Sequence, residues 1–364
     1  MPEELMSGLA YSEDWENSKK RWEAFWQQEV FDRPVMRITA PRTVPVEPLY
    51  HEASYTPRFA DAPELEFHDV HQMLRRTRHT VATIAHLGEA IPVFDHKWSV
   101  AQALAWGCEP AYNEHAAWCH PLMPAPDERV SLCADENSEG WRWLMDTARY
   151  AVSEARRNFF VRPDWGNHTG DILVTLIGNY ELLTMAIDDP ERLKKLIGEV
   201  TPSLDAIYRA MYDIVEDTGN EGTVNYIGCW SPGRCICLDC DISCMLSPAD
   251  FESLFLQPII ETMLLATHRM YHLDGPGALH HLPTLLGIDE LHGIQWVPGA
   301  GNEPIAQWIP MLKQIQHAGK SLWISIGAAE LTLVRKELRP EGLCISIGAG
   351  SEDEARRILE AAKL

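Results

Sequence analysis

The chain has little positive charge and no long apolar run. Its 364 residues hold 31 Lys and Arg against 53 Asp and Glu, which gives a formal net charge of −22 at pH 7. Such a surface repels the phosphate backbone of nucleic acids and the anionic face of a membrane. No stretch reaches the roughly 18 uncharged apolar residues that a membrane-spanning helix needs. We therefore expect no nucleic-acid partner and no membrane partner, and the expected partner is a small-molecule substrate.

The start of the chain also lacks the marks of a secretion signal. Residues 1–20 are acidic and polar, without a basic start followed by an apolar run. The nine cysteines are an odd number, which favours reduced thiols over a disulfide framework. Both observations predict a cytoplasmic protein. No Gly-x-Gly-x-x-Gly turn follows an early strand, which argues against a dinucleotide-binding fold.

A rhythm of strand and helix runs through the second half of the chain. Short β-branched or aromatic runs that end in glycine lie at 223–228, 269–275, 293–299, 321–327 and 342–348. Less regular strand candidates lie at 35–41, 90–95 and 159–165, and long amphipathic helices are predicted over 140–157 and 190–217. This pattern predicts an α/β protein, a (β/α)8 TIM barrel with N-terminal and loop insertions, as a single domain over residues 1–364. An open doubly wound sheet is the alternative.

The stretch YHLDGPGALHH, residues 271–281, places polar side chains at a predicted strand end. In a parallel barrel the reactive groups gather at the carboxyl ends of the strands. His272 and Asp274 share one face because strand side chains alternate, and Gly275 and Gly277 leave room for a ligand. An imidazole and a carboxylate at this spacing either bind a divalent metal or form an acid/base pair. A hydrogen-bonded pair that closes a turn is the structural alternative.

The neighbouring strand ends add candidate substrate-binding residues. The preceding run ends in NYIGCWSPG, with Cys229 and Trp230, and the following one, IQWVPGAGN, offers Gln295, Trp296 and Asn302. Because Gln295 and Trp296 are adjacent, only one of them points inward while the strand lasts. A pocket of indole and amide groups suits a large flat or apolar ligand, whereas packing is the commoner role of tryptophan.

The stretch CWSPGRCICLDCDISC, residues 229–244, is rich in cysteine but has only one Cys-x-x-Cys, at 237 and 240. A zinc ribbon needs a second such pair, so free thiols are expected here. Asp241 adds a carboxylate immediately before a predicted helix. Ser247 and Pro248 are typical of the cap and the first turn of that helix.

The stretch CDISCMLSPADFESLFLQPI, residues 240–259, resembles the Asp and Ser-Pro-x-x-Phe pattern of the uroporphyrinogen decarboxylase superfamily, which includes the cobamide-dependent methyltransferases. Residues 170–193, 271–301 and 342–362 are similar to that superfamily as well, so the resemblance covers about the last three quarters of the chain. It implies a (β/α)8 barrel with its site at the carboxyl mouth.

The resemblance also implies a metal site. The methyltransferases of the superfamily bind zinc through His-x-Cys after one strand and a cysteine near the end of the last strand. His272 matches the histidine, whereas Asp274 and Ala349 stand where the two cysteines are expected. An altered zinc site would then use His272, Asp274 and Cys229, or a loop carboxylate such as Glu89.

Three functions stay open. The first is a methyltransferase that moves a methyl group between a small methylated substrate and a corrinoid protein, with His272, Asp274 and Asp241 as catalytic residues. The second is a metal-free decarboxylase, in which Asp241 or Asp274 stabilises a cationic intermediate. The superfamily's decarboxylases grip substrate carboxylates with N-terminal arginines, for which Arg33 and Arg37 are the candidates, although their surroundings differ from the family signature. The third is a non-catalytic barrel that binds a small molecule.

Overall fold

The computed structural model describes most of the chain. The described residues are 14–46, 49–94, 96–122, 132–155, 158–216, 221–301 and 304–363. Asn302, a predicted substrate-binding residue, lies outside them. All nine cysteines lie within them and are free thiols.

Thirteen strands lie within the described residues. They are β1 Val35–Pro41, β2 Ile84–Gly88, β3 Val93–Phe94, β4 Pro110–Tyr112, β5 Ala117–Cys119, β6 Phe160–Val161, β7 Thr223–Val224, β8 Trp230–Ser231, β9 Cys235–Leu238, β10 His268–Asp274, β11 Gly293–Val297, β12 Ser321–Ser325 and β13 Leu343–Gly348. Seven of them form one sheet in the order β2-β1-β13-β12-β11-β10-β9. Its pairings are parallel except that of β1 with β2.

Thirteen α-helices surround these strands in the described part of the chain. They are α1 Trp15–Trp26, α2 Pro63–His68, α3 Val70–Thr83, α4 Glu139–Ala155, α5 Thr169–Ile177, α6 Asn179–Asp188, α7 Pro190–Glu216, α8 Pro248–Phe251, α9 Gln257–Met263, α10 Leu282–Leu286, α11 Ile309–His317, α12 Leu331–Glu337 and α13 Glu352–Ala362. A π-helix, Glu252–Leu256, joins α8 to α9, and Asp241–Met245 and Pro276–His281 are 3-10 helices. Ser247 caps α8 as predicted, because its hydroxyl accepts the N–H of Asp250 at 3.2 Å.

The two faces of the sheet differ because strand side chains alternate. One face packs on the helices and carries buried apolar residues of the main core, such as Ile38, Leu273, Ile294, Ile324 and Ile345. The other face, which we call the His272 face, carries more polar groups, among them Arg37, His272, Gln295, Ser325 and Ser346.

A second core, which we call the amino-end cluster, lies where the parallel strands of the His272 face begin. Its members include Trp15, Trp22, Phe25, Trp26, Val35, Cys229, Trp230, Cys235, Met270 and Cys344. Trp26 stacks on His268, the first residue of β10, with ring centroids 4.6 Å apart. The amino-end cluster fills the amino end of the His272 face with apolar side chains. The polar groups of that face therefore lie toward the carboxyl ends of the strands.

The structure confirms most of the sheet strands that the sequence predicts. The predicted strands at 35–41, 269–275, 293–299, 321–327 and 342–348 coincide with β1, β10, β11, β12 and β13. Those at 90–95, 159–165 and 223–228 shrink to the two-residue strands β3, β6 and β7, which lie outside the sheet. Backbone pairing leaves β2 and β9 as edge strands, so the described residues show a mostly parallel α/β sheet, and its closure into a barrel stays a prediction.

No single helix among the described residues is long and apolar enough to cross a membrane. Helices α5 and α6 pass that test of length and composition only as a pair, and they are bent by 111° relative to each other.

Candidate active site

An oriented imidazole stands on the His272 face. His272 of β10 lies opposite Gln295 of β11, and its Nδ1 is 2.5 Å from Oε1 of Gln295. Because an amide oxygen only accepts, Nδ1 donates this hydrogen bond and Nε2 is left as the acceptor. Gln295 is buried and His272 is half-buried, so the amide fixes the ring while the other edge stays accessible. The pair therefore presents an imidazole that can accept or carry a proton.

Two carboxyl groups lie beside this imidazole. Asp274 is the exposed last residue of β10, and Asp241 begins the 3-10 helix that follows β9, the strand next to β10. Desolvation raises the pKa of Asp241, the carboxylate of Asp274 raises it further, and His272 opposes both effects. The structure thus brings the three predicted catalytic residues together at the carboxyl edge of the sheet.

A second pair of carboxyl groups, Asp171 and Asp239, lies next to Asp241. The sequence analysis does not single out either residue. The backbone N–H of Asp241 donates to Oδ1 of Asp171 at 2.9 Å, and the hydroxyl of Tyr226 donates to Oδ2 of Asp239 at 3.3 Å. Desolvation raises the pKa of Asp171 to about 6. Desolvation and the neighbouring Asp171 carboxylate raise the pKa of Asp239 well above its usual range. The close approach of these two buried carboxyl groups therefore favours a proton on Asp239.

A glycine makes room for this pair. Gly166 has a φ of +95°, and its carbonyl accepts the N–H of Asp239 at 2.9 Å. A Cβ at this position would lie 2.6 Å from the Tyr226 ring and 2.8 Å from Oδ2 of Asp239. The Tyr226 ring in turn meets the His272 ring edge-on, with centroids 6.0 Å apart. Gly166 is thus required by both its backbone conformation and the close packing behind the site.

A further carboxyl group, Asp164, is fully buried near the amino-end cluster. Its Oδ2 accepts the N–H of Cys237 at 3.1 Å, whereas Oδ1 has no hydrogen-bond partner among the described residues. Desolvation raises the pKa of Asp164 to about 7. The folded state therefore holds a proton that the unfolded state releases near pH 4, so the stability from this proton is lost as the pH rises through about 7.

Replacing Asp164 with Asn is expected to flatten this pH dependence. Asn keeps an acceptor for Cys237 and carries no charge, so the variant should be more stable than the wild type at pH 8. At about 1.4 kcal/mol for each pKa unit, the difference between pH 4 and pH 8 is on the order of 4 kcal/mol. Urea unfolding of both proteins across this range measures it, with Asp188→Asn on the exposed end of α6 as the control. Parallel stability curves for the wild type and Asp164→Asn would contradict the assignment.

Other predicted site residues lie apart from His272. Cys229 and Trp230 belong to the amino-end cluster, where Nε1 of Trp230 donates to the carbonyl of Glu221 at 2.7 Å. Trp296 points to the opposite face of the sheet and packs against Trp308, with ring centroids 4.9 Å apart. Among the predicted substrate-binding residues that the structure describes, only Gln295 contacts His272.

The structure does not bring together the metal ligands that the resemblance implies. Cys229 is fully buried in the amino-end cluster, apart from His272, and desolvation raises the pKa of its thiol to about 12. Glu89 lies after β2, near the start of β1, and binds Arg33 at 2.5 Å. No group of three or more His, Cys, Asp or Glu side chains within the described ranges could hold a metal ion. The described residues do not fit the implied zinc site, and a bound zinc stays a prediction.

Of the two predicted arginines, only Arg37 lies on the His272 face. Its guanidinium group lies 5.5 Å from the Trp323 ring centroid, and its Nε is buried without a hydrogen-bond partner in the described part of the chain. Arg33, by contrast, is buried in its ion pair with Glu89. A positive charge that binds no carboxylate of the described residues thus lies on the same face as the predicted catalytic groups.

Fold and site together define an α/β protein with its polar chemistry at the carboxyl edge of a parallel sheet. No family model matches the chain, and no curated protein sequence matches it either. Among solved structures, the chain is similar to a methyltransferase from Methanosarcina mazei, with a TM-score of 0.59 and 15% sequence identity over 95% of this chain and 97% of that one. At this identity the similarity shows a shared fold.

A second solved structure is more distant. It is a B12-independent methionine synthase from Shewanella sp. W3-18-1, with a TM-score of 0.36 and 12% identity over 60% of this chain and 64% of that one. A TM-score this low supports no conclusion about the fold or the function of the chain.

Proposed function

We propose that the chain is a (β/α)8-type methyltransferase that moves a methyl group from a small methylated substrate to a corrinoid held by a partner protein. The observation that carries the proposal is the cluster of His272, Asp274 and Asp241 at the carboxyl edge of the sheet, where barrel enzymes keep their active sites. The fold similarity to a methyltransferase along 95% of the chain supports it.

The cluster can supply a proton to a leaving group. When a methyl group leaves a nitrogen, oxygen or sulfur atom, the heteroatom keeps the bonding electron pair and is stabilised by a proton. Asp241 holds that proton more firmly than an ordinary aspartate because its pKa is raised. His272, when its Nε2 carries a proton, donates a hydrogen bond to the heteroatom of the substrate and orients it toward Asp241. The corrinoid supplies the nucleophile that takes the methyl group.

The surroundings of Asp241 suit repeated turnover. The residue reaches solvent although its carboxyl group is partly desolvated, so water can return the proton after each transfer. Asp171 fixes the backbone of Asp241 through the 2.9 Å hydrogen bond, and Gln295 fixes the ring of His272. Both supports hold the acid and the imidazole in place before substrate binds, which lowers the cost of reaching the reactive geometry.

Arg37 favours a second candidate, the metal-free decarboxylation of a small carboxylic acid. Its guanidinium lies on the His272 face and forms no ion pair within the described ranges, so it could bind a substrate carboxylate. Loss of carbon dioxide leaves an electron pair on the substrate carbon, and Asp241 would then protonate that carbon. Methyl transfer and decarboxylation thus use the same acid with different substrates.

An assay with free cob(I)alamin under anaerobic conditions tests the proposal. Methylated amines, thiols and ethers are supplied in turn, and methylcobalamin formation is followed by its absorbance. We expect transfer by the wild type and a loss of about 10²-fold in Asp241→Asn, since general acids contribute at least that factor. Asp188→Asn, an exposed carboxylate on α6, should keep the full rate.

Two other results would overturn the proposal. Release of carbon dioxide from a carboxylic acid, with no methyl transfer, would assign the decarboxylase. Binding of a substrate by the wild type, with neither reaction across the panel, would leave a non-catalytic binding barrel.

A further inference from the structure

A cavity lies among α2, α3, α4 and β4, on elements that contribute none of the residues of the candidate active site. It opens to solvent and has a volume of about 730 Å³, within the usual range for small-molecule sites. The rings of Tyr112, Trp143 and Tyr150 line it together with the imidazole of His68. We call it the Trp143 cavity. Aromatic rings that line a cavity can attract a bound cation through their electron-rich faces.

Carboxylates dominate the charge of the Trp143 cavity. Glu64, Asp69 and Asp146 line it together with the imidazoles of His68 and His71, and its lining includes no lysine or arginine. Burial lowers the pKa of His68, so this imidazole is neutral at pH 7. Asp146 pairs with Arg149 at 3.0 Å, but both side chains are largely exposed, so this pair leaves much of the charge open to a ligand. The cavity is therefore electronegative as well as aromatic.

Hydrogen bonds hold the aromatic wall in place. Nε1 of Trp143 donates to the carbonyl of His68 at 3.0 Å, and the two rings stack with centroids 4.6 Å apart. The hydroxyl of Tyr112 lies 3.2 Å from Nδ1 of His68. Asp69 caps α3 by accepting the N–H of His71 at 2.8 Å. The wall is thus ordered without a ligand, which removes part of the entropic cost of binding.

We propose that the Trp143 cavity binds a small organic cation, a quaternary ammonium ion or a protonated amine. A cation over an aromatic face is attracted by the ring quadrupole, and nearby carboxylates add a charge attraction. An anion would meet three carboxylates with no lysine or arginine in the lining to offset them. This inference goes beyond the proposed methyl transfer and does not depend on it.

Calorimetric titration of the full chain with choline tests the inference. Its uncharged isostere, 3,3-dimethylbutan-1-ol, has the same shape without the charge. We expect saturable choline binding that weakens with added salt, and binding of the isostere at least about tenfold weaker. Tyr150→Leu and Glu64→Gln should each weaken choline binding by about three- to tenfold. Both side chains are exposed, so the variants should fold normally.

Matched controls separate this site from the rest of the surface. Tyr180→Leu removes a tyrosine that is 77% exposed, on α6, and should leave choline binding unchanged. His272→Ala should leave it unchanged as well. Equal binding of choline and its isostere, no detectable binding of choline, or unaltered binding in both cavity variants would overturn the inference. Loss of choline binding in His272→Ala would show that the cation binds at the active site. This result would also overturn the inference, whatever the methyl-transfer assay shows.

Discussion

Replacing His272 with Ala is expected to lower kcat/KM for methyl transfer by about 10² to 10⁴-fold, the range that a positioned acid or base contributes. The ring is held by Gln295 at 2.5 Å and lies beside Asp241, so its loss removes the group that orients the leaving heteroatom. Transfer to cob(I)alamin measures the effect. Imidazole added to the buffer should restore part of the rate, because it can occupy the space that the side chain leaves.

The control for this variant is His115→Ala, which removes a histidine whose side chain is 81% exposed and lies outside the sheet. Its rate should equal that of the wild type. The thermal unfolding of His272→Ala should stay close to that of the wild type, since the side chain is only half-buried. A well-folded His272→Ala protein with unchanged kcat/KM would place the active site elsewhere.

Replacing Glu89 with Ala is expected to lower the free energy of unfolding by about 3 to 5 kcal/mol. The carboxylate is fully buried and accepts hydrogen bonds from Arg33 at 2.5 and 2.9 Å, from Arg21 at 3.1 Å and from the N–H of Met36 at 2.8 Å. Its removal leaves two arginines in the interior with part of their charge uncompensated, which costs more than the loss of a single contact. Urea unfolding at pH 7 measures the change.

Glu221→Ala provides the comparison. Glu221 binds Lys19 at 2.5 Å, but its side chain is 55% exposed, so we expect a loss of less than about 1 kcal/mol. A similar small loss in Glu89→Ala would contradict the structural role of Glu89. It would also reopen the sequence-based hypothesis that this carboxylate is free to bind a metal.

The sheet was largely predictable, and the exceptions have physical reasons. Strands β10 to β13 are recognisable in the sequence as β-branched and aromatic runs that end in glycine or lead into a turn. Strand β9 lies inside the cysteine-rich stretch, where small apolar thiols do not distinguish a buried strand from a loop. Strand β2 follows α3 without any turn residue and pairs antiparallel with β1, so a rhythm of parallel strand and helix units does not reveal it.

The site was predictable in part. Alternation along β10 identifies His272 and Asp274, and alternation along β11 shows that only one of Gln295 and Trp296 can share their face. Which of the two does so depends on the register between β10 and β11, which the sequence does not state. Asp239 repeats the spacing of the His272 pair, two residues before Asp241, but this signal appears only once β9 is known to be a strand.

The site residues that sequence patterns did not predict are brought to their places by tertiary contacts. Asp171 and Tyr226 come from distant parts of the chain and reach the site only through folding. Cys229 and Trp230 come from a segment that packs at the amino end of the strands, because β7 and β8 pair with each other outside the sheet. A strand-like run in the sequence does not say at which end of a sheet its last residues will lie.

The rate of methyl transfer in the His272→Ala/Asp241→Asn double variant tests the central claim most directly. If the two side chains act on one proton transfer, the double variant should be slower than the slower single variant by no more than about threefold, because groups that work as a unit are not additive. Rate losses that multiply, such as two losses of about 10²-fold giving about 10⁴-fold, would show that the residues act in separate steps and would contradict the account.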